Sequence, residues 1–494
     1  MTVLASSSLL APAPTTRSAR WAGRHPAVVA TLLLLGLFLL YVYSEDFNDF
    51  QYDSDVYWQL AKLYWGPTGF DLLRYDNILR GYLFPLLLAP LVPVAEQYAL
   101  LPMDLYRVFG AGMAAVLFGA VVPGLWHAAR GPGSLALVPL GRRLLLGGLG
   151  FVFWRGYFNY PLSDFPALLA LAGGVWVLLR SRSVGSGLLA GLLVAAAANI
   201  RPVYAAALPL VAVLFLWLRP VAGQQQPKRW AVVAREAALF AGLALVLWPQ
   251  MAINRAHFGS GSPLVLTTLP NQPSLYLLQL QWGLRYKKYE TSIGTDYAVP
   301  QMFFVDRRGQ ELWAGTGRGQ LDSMAQYGRI LRASPGGVLR TWASHLFNGL
   351  DLQYPTPYIA RVYQRTWVLA WLNYTVLFGG LWVLCQRRSR WPLAASLRVG
   401  LVLLVVLGPC AATLPVAMEC RFLLPLHLLL CAAFAFGVSP AAWYARSPRQ
   451  RLGAGVLYVG FVLACFSLSL NTQSRLQLGG RSPFSNQLGT KNTP

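Results

Sequence analysis

The sequence predicts an all-α polytopic membrane protein with about 11 transmembrane helices, and three observations carry that prediction. Of its 494 residues, 55% are hydrophobic and only 12% are charged, against roughly 25% charged in a soluble domain. The apolar residues fall into separate runs, most of them near the length that crosses bilayer hydrocarbon. The 41 basic and 18 acidic residues, net charge +23, sit between those runs and not in one patch. That is the distribution of the positive-inside rule and not a nucleic-acid footprint, so no nucleic-acid partner is expected.

Candidate spans lie near 27–44, 107–127, 143–160, 165–180, 185–200, 203–218, 232–253, 366–386, 397–414, 421–438 and 453–470. Arg17, Arg20 and Arg24 precede the first run, an opening that a cleaved signal peptide shares. The run is long enough to span and no A-x-A-like site follows it, so an uncleaved first helix is expected. A twelfth apolar stretch, Tyr82 to Ala95, is short and carries Pro85, Pro90 and Pro93. If it does not span and the N-terminus is cytoplasmic, the cytoplasmic segments hold nineteen basic residues and no acid. The short outer loops then hold only Arg155, Arg201 and Arg421. A spanning twelfth stretch would put sixteen of the nineteen outside. The charge bias therefore predicts a re-entrant or surface-lying helix pair at 81–96 and eleven spans.

With that orientation, every acid but Glu236 falls on the extracytoplasmic side. The chain divides into an N-terminal membrane module, 1–253, holding a first outer loop at 45–106; an outer loop or cap, 254–365; a C-terminal membrane module, 366–470; and a polar tail, 471–494. Within the cap, Leu321, Met324, Gly328 and Leu331 form one helical stripe, and Val338, Trp342 and Leu346 another. These suit helices on the membrane surface. Gly315, Gly317 and Gly319 follow no strand signal and read as a flexible turn, not a nucleotide loop. The cysteines Cys385, Cys410, Cys420, Cys431 and Cys465 have no paired or metal-type spacing. Four lie in apolar runs and read as buried small hydrophobes.

The stretch from Asp49 to Tyr64 is the most informative polar segment. On a helix, Asp53, Tyr57, Leu60, Ala61 and Tyr64 share one face, while Asp55, Gln59 and Lys62 fall on another. One carboxylate thus meets an apolar-aromatic side, where its pKa can be tuned for acid/base work. A solvated loop with both acids capping a helix is the plain alternative. Three further polar groups stand at outer span ends: Asn159 to Asp164, then Asn199-Ile-Arg201-Pro202, then Glu419-Cys-Arg421-Phe-Leu-Leu-Pro425. Each reads singly as an interface residue that stops a helix. All four share one side of the membrane, and ionisable groups facing a bundle interior are functional candidates.

At these residues the chain resembles GT-C-type membrane glycosyltransferases, especially the protein-mannosyltransferase-like and lipid A aminoarabinose-transferase-like bacterial members. The D-x-x-x-Y-x-x-x-A spacing of Asp53, Tyr57 and Ala61 is similar to their catalytic first loop. The Pro-rich helix pair ending at Arg107, Ser163-Asp164, Asn199-x-Arg201-Pro202 and the Glu419 to Pro425 stretch are similar to later features, in order, over about 1–440. The resemblance implies Asp53 as general base, Asp164 as a second active-site carboxylate, and a bacterial inner (plasma) membrane location. Where the aminoarabinose-transferase pattern is D-E-x-x-Y, Ser54 follows Asp53 and Asp55 comes next, so the choice of base between Asp53 and Asp55 stays open. The absence of a large C-terminal soluble domain argues against the oligosaccharyltransferase branch.

The chemistry suits the residues on its own terms. Transfer from a polyprenyl-phosphate sugar donor to a glycan, lipid or protein acceptor needs a carboxylate to take the acceptor hydroxyl's proton. It needs positive charge at the leaving phosphate, for which Arg74, Arg80, Arg107, Arg201 and Arg421 are the outer-face candidates. Tyr57 and Glu419 join them as substrate-site candidates. The apolar bundle and the 81–96 helices supply a groove for the lipid tail among membrane lipids. A divalent metal, Mg or Mn, on Asp53 and Asp164 stays open. Two other classes stay open too. A transporter or flippase of lipid-linked sugars would place polar residues near the bilayer midplane, and a non-catalytic scaffold would have no cavity at the outer face.

Overall fold

A computed structural model describes residues 24–42, 49–130, 137–218, 229–269, 272–295, 299–315, 319–362, 366–387 and 393–477. Arg17, Arg20, Arg219, Lys228, Arg388, Arg390, residues 316–318 of the glycine turn, and the tail beyond 477 lie outside them. The protein is a bundle of apolar helices with a small mixed cap at one end. Its helices are α1 (Pro26–Val42), α2 (Tyr52–Lys62), α3 (Leu83–Leu88), α4 (Leu91–Gln97), α5 (Pro102–Val116), α6 (Val122–Ala129), α7 (Leu140–Trp154), α8 (Asp164–Arg180), α9 (Val184–Ile200), α10 (Ala207–Trp217) and α11 (Arg229–Phe258). The cap contributes α12 (Leu275–Arg285), α13 (Arg307–Ala314), α14 (Met324–Ala333) and α15 (Pro335–Leu350), and after it come α16 (Trp367–Arg387), α17 (Leu393–Thr413), α18 (Leu424–Gly437), α19 (Pro440–Tyr444) and α20 (Pro448–Gln473).

Among the described residues, six helices are long and apolar enough to cross a membrane by length and composition: Pro102–Ala129, Trp230–Phe258, Trp367–Gln386, Ser396–Thr413, Cys420–Gly437 and Pro448–Gln473. Helices also stand at the other five expected positions, but they are shorter. The Pro-rich stretch breaks at Pro90 into α3 and α4, of six and seven residues. At 1.5 Å per residue neither reaches half of a roughly 30 Å hydrocarbon layer.

Packing follows from residue size. The alanine-rich α9 lies between α8 and α11. A Cβ at Gly191 would strike the Leu239 carbonyl, and one at Gly242 the Leu188 carbonyl. Only glycine lets these two backbones touch, as at small-residue contacts in membranes. Phe38, Phe118 and Phe158 fill the space among α1, α5 and α7 with ring contacts of 5.4–6.1 Å.

The two ends of the bundle differ in charge. At one end, arginines donate to backbone carbonyls at the C-terminal ends of α8 and α18 and in the π-turn that joins α5 to α6. Arg142 donates to the Ala435 carbonyl (2.8 Å), Arg143 to Gly119 (2.6 Å), and Arg235 to Leu178 and Ser181 (both 3.1 Å). The acids collect at the other end, under the cap.

The cap contains a sheet that the reading as surface helices did not anticipate. Strands β3 (Tyr286–Ser292), β4 (Gln301–Val305) and β5 (Tyr358–Ile359) form it in the order β4-β3-β5, with β3–β4 antiparallel and β3–β5 parallel. A two-residue hairpin, β1 (Trp65–Gly66) with β2 (Gly69–Phe70), lies in the first outer segment. The expected polar tail begins later than Asn471. Helix α20 runs to Gln473, and the chain then pairs with β4, the Val305 amide donating to the Arg475 carbonyl and the Gln477 amide to Phe303.

The cap stripes also differ in detail. Tyr327 is buried where Met324 is 54% exposed, because Trp342 of α15 donates to the Tyr327 hydroxyl. On α15 it is Val338, Thr341, His345 and Asn348 that turn inward, and Leu346 outward. Cys385 is exposed and the other four cysteines are buried and free.

Helix α1 packs at Thr31 against Gly119, and the chain leaves α20 against the cap sheet. With the eleven spans and cytoplasmic N-terminus that the charge bias predicts, a reporter fused behind Pro494 should be active only outside the cytoplasm. Cytoplasmic activity there would restore a twelfth crossing and reverse the charge argument.

Candidate active site

Helix α2 forms because its first turn is well provided for. Asp53 and Asp55 lie at the positive end of its dipole. The Gln51 amide donates to Ser54 Oγ (2.8 Å), and Ser54 Oγ donates back to the Gln51 carbonyl (2.6 Å). Ser54 is fully buried, so the position that departs from the D-E-x-x-Y pattern serves as a helix cap. The cap sheet holds this turn from above. Tyr358 Oη donates to the Gln51 carbonyl (2.8 Å) and accepts from the Ser54 amide (3.2 Å). Tyr52, beside Asp53, has φ of 42°, a left-handed conformation that a bulky residue adopts only when its surroundings enforce it.

The face expected to point inward does so. Tyr57, Leu60, Ala61 and Tyr64 are buried, whereas Asp55 accepts a hydrogen bond from exposed Gln59 (3.1 Å). Asp53 turns to the acids and arginines at the bundle end. Its Oδ1 pairs with Arg80 (2.6 Å) and its Oδ2 with Arg421 (3.3 Å). Arg421 also pairs with Asp164 Oδ2 (3.5 Å) and with Glu419, and Arg201 pairs with Asp164 Oδ1. Three guanidinium groups and three carboxylates thus form one charge-balanced cluster, drawn from four distant parts of the chain.

Rings hold the cations in place. Arg80 lies over Tyr57 at 5.2 Å, and Arg201 and Arg421 both lie over Phe422, at 5.1 and 5.8 Å. Such contacts orient a guanidinium whose hydration is largely removed. Arg80 reaches the cluster because residue 81 is glycine, where a Cβ would collide with the Asn199 carbonyl. Asn199 Oδ1 accepts from the Leu83 amide (2.9 Å) and its amide group donates to Gln250 (2.8 Å), tying α3 to α9 and α11.

The other two arginines go elsewhere. Arg74 is exposed, its guanidinium pressed over Gly66. Arg107 is buried on α5 and pairs with Asp104 at 3.5 Å. Neither is paired with Asp53, Asp164 or Glu419 among the described residues.

Beside the cluster is a cavity of about 30 Å³, lined by Asp53, Tyr157, Glu290, Tyr358, Glu419 and Arg421 among others. That volume holds only a few water molecules. Glu290 was not among the expected site residues. It sits on β3, paired with Lys288 at 2.8 Å, and both are buried. Lys288 also donates to the carbonyl of buried Asp351, whose carboxylate accepts from Tyr374 and Ser469 (both 2.7 Å). This polar column joins β3 to α16 and α20.

The surroundings tune the two front carboxylates in opposite directions. Crowding by protein would raise Asp53, but Arg80 and Arg421 outweigh it and hold the carboxyl below its usual range. Burial pushes Glu419 up, Arg421 opposes that, and the charges of Asp53 and Glu290 add to the rise. Glu419 is therefore the group best placed to hold a proton if a further anion joins the cluster. Stability follows with the sign of each shift. The Asp53 contribution is fully present above its unfolded value of about 3.9 and is lost as pH falls through its lower folded value. The Glu419 contribution runs the other way and is lost as pH rises. In melts between pH 3 and 7, wild type should lose stability below about pH 4, and Asp53→Asn should show a flatter acid limb. Identical acid limbs would mean that the Asp53 pairs do not form.

Among the described residues, no group of three or more His, Cys, Asp or Glu side chains is placed to hold a metal ion. Asp53 and Asp164 direct their oxygens to guanidinium groups instead, so this arrangement does not fit the Mg or Mn alternative. No family model and no curated protein matches the chain.

Proposed function

We propose that the protein is a GT-C-like membrane glycosyltransferase that moves a sugar from a polyprenyl-phosphate donor to an acceptor hydroxyl. In this reading eleven helices span a bacterial inner membrane and the charge cluster faces the extracytoplasmic side. One observation carries it: Arg421 joins Asp53 of the first outer segment to Asp164 at the start of α8, with Arg80 and Arg201 alongside. That juxtaposition supports the reading, in which Asp53 serves as base and the arginines meet the phosphate.

The acceptor oxygen bonds to the sugar's anomeric carbon, the bond from that carbon to the phosphate oxygen breaks, and the acceptor proton passes to Asp53. Polyprenyl phosphate leaves with the bonding electrons, its charge met by guanidinium groups. Asp53 suits the base role because 43% of its side chain is exposed, against 2% for Asp164 and 8% for Glu419. Its pairs with Arg80 and Arg421 make it a weak base at rest. A donor phosphate that draws Arg421 away removes one of those pairs and raises its basicity, so activation of the base follows donor binding.

The test uses the product that every such donor shares. Purified full-length protein in nanodiscs should bind polyprenyl phosphate, and Arg421→Ala should weaken that binding. With sugar-charged donors, release of polyprenyl phosphate should require Asp53. Absence of polyprenyl-phosphate binding, or binding indifferent to Arg421, would sink the reading.

A further inference from the structure

The cap holds a second and larger cavity. On β3, Lys287 and Glu290 have opposite parity and so face opposite sides of the strand. Glu290 lines the small cavity at Asp53, and Lys287 lines a cavity of about 1350 Å³ bounded by α13, α14, α15 and the C-terminal end of α20. Its wall is strongly basic: Lys287, Arg307, Arg308, Arg329, Arg340 and Arg475 stand against only Asp306 and Glu311. Arg307, Arg308, Arg329 and Arg340 are exposed. Among the described residues none of the five arginines forms an ion pair with a carboxylate, and Lys287 donates to Asn471 Oδ1 at 2.9 Å.

Two features add to the positive charge and one sets the kind of ligand. The N-termini of α13, at Asp306 and Arg307, and of α15, at Ser334 to Gly337, border the cavity with the positive ends of their dipoles. Asn348, 1% exposed, lines it with a side-chain oxygen that has no hydrogen-bond partner, an acceptor suited to a headgroup hydroxyl and not to the phosphate itself. Part of the cavity wall is apolar, with Ile330, Phe347 and Leu468 contributing to it. Leu468 is 52% exposed and lies near the end of α20, one of the helices long and apolar enough to span. A row of guanidinium groups beside the apolar surface at a span's end matches a molecule with an anionic head and a hydrocarbon tail. A soluble anion would have no use for the apolar part.

We propose that this cavity binds the phosphate-bearing headgroup of a membrane amphiphile, with its hydrocarbon laid along the end of α20 at Leu468. The proposal stands apart from the transfer reaction, since it needs neither Asp53 nor Arg421.

It is tested on purified full-length protein in a neutral detergent, titrated with phosphatidylglycerol, phosphatidylcholine or inorganic phosphate. Phosphatidylglycerol should bind, and phosphatidylcholine and inorganic phosphate should bind far more weakly. The triple variant Arg307→Gln/Arg308→Gln/Arg340→Gln should weaken phosphatidylglycerol binding on the order of 100-fold, each cation near a headgroup contributing roughly a factor of five. Its melting temperature without lipid should match wild type, because the three side chains are exposed. As a second arm, Leu468→Gln should weaken phosphatidylglycerol and leave inorganic phosphate unchanged. Equal binding of both lipids, or undiminished binding by the triple variant, overturns the proposal. Inorganic phosphate binding as tightly as phosphatidylglycerol would make this a soluble-anion site and overturn it too.

Discussion

Asp53→Asn should lower turnover by roughly 10²–10⁴-fold, the usual worth of a general base, while Asp55→Asn stays near wild type. The two acids are two positions apart on α2, yet their surroundings separate them. Asp53 points into the cluster and meets Arg80 and Arg421, whereas Asp55 faces out and accepts from Gln59. Asparagine keeps the shape at 53 but cannot take the acceptor's proton. The loss then belongs to the transition state, so kcat should fall and donor affinity should change far less. The check is a paired assay of both variants, with donor binding and expression measured alongside. An inactive Asp55→Asn beside an active Asp53→Asn would reverse the roles. Two near-wild-type variants would remove the first outer segment from the chemistry altogether.

The helical fold was legible because apolar runs are a local signal, and a helix stands at each expected position. The cap was less so. On β3 the buried residues are Tyr286, Lys288, Glu290 and Ser292, so the inward face carries a lysine and a glutamate where a strand pattern expects apolar side chains. Those charges are stable inside only because they pair with each other and lie beside Asp351, 63 residues away from Lys288. Nothing local announces such a pairing.

The site divides in the same way. An arginine or acid near proline at a span end can be read from the sequence, as Asp164, Arg201, Glu419 and Arg421 show, while Asp53 is marked by its helix face and Arg80 only as an outer-loop cation. Which of them meet could not be read. Arg421 lies 368 positions from Asp53 and 257 from Asp164, and only the folded bundle, with α8 packed on α9 and α18 on α16 and α7, brings those ends together. Arg74 and Arg107 carry the same local signal and have other partners, an exposed glycine turn and Asp104. Tyr57, expected among the substrate-site residues, lies under the Arg80 guanidinium at 5.2 Å.

Arg421 is the position where substitution should cost most, in stability as well as activity. Among the described residues it is the one cation that pairs with all three carboxylates of the cluster, and its side chain is 14% exposed. Arg421→Ala leaves Glu419 without its arginine and Asp164 with Arg201 alone, both largely buried. Removing one partner from a buried ionic set typically costs about 3–5 kcal/mol, because the remaining charge is left uncompensated. The variant should therefore melt well below wild type at pH 7, and less so at mildly acidic pH, where Glu419 can take up a proton. Arg421→Lys separates the two roles. Lysine restores one positive charge, so much of the stability should return, but a single ammonium cannot span Asp53, Asp164 and Glu419 as a planar fork does. Activity should stay low in the lysine variant while the melting temperature recovers. Full recovery of both would mean that only net charge matters at 421. Recovery of neither would mean that the fork geometry itself holds α18 against α8, and that the loss of activity follows from the fold.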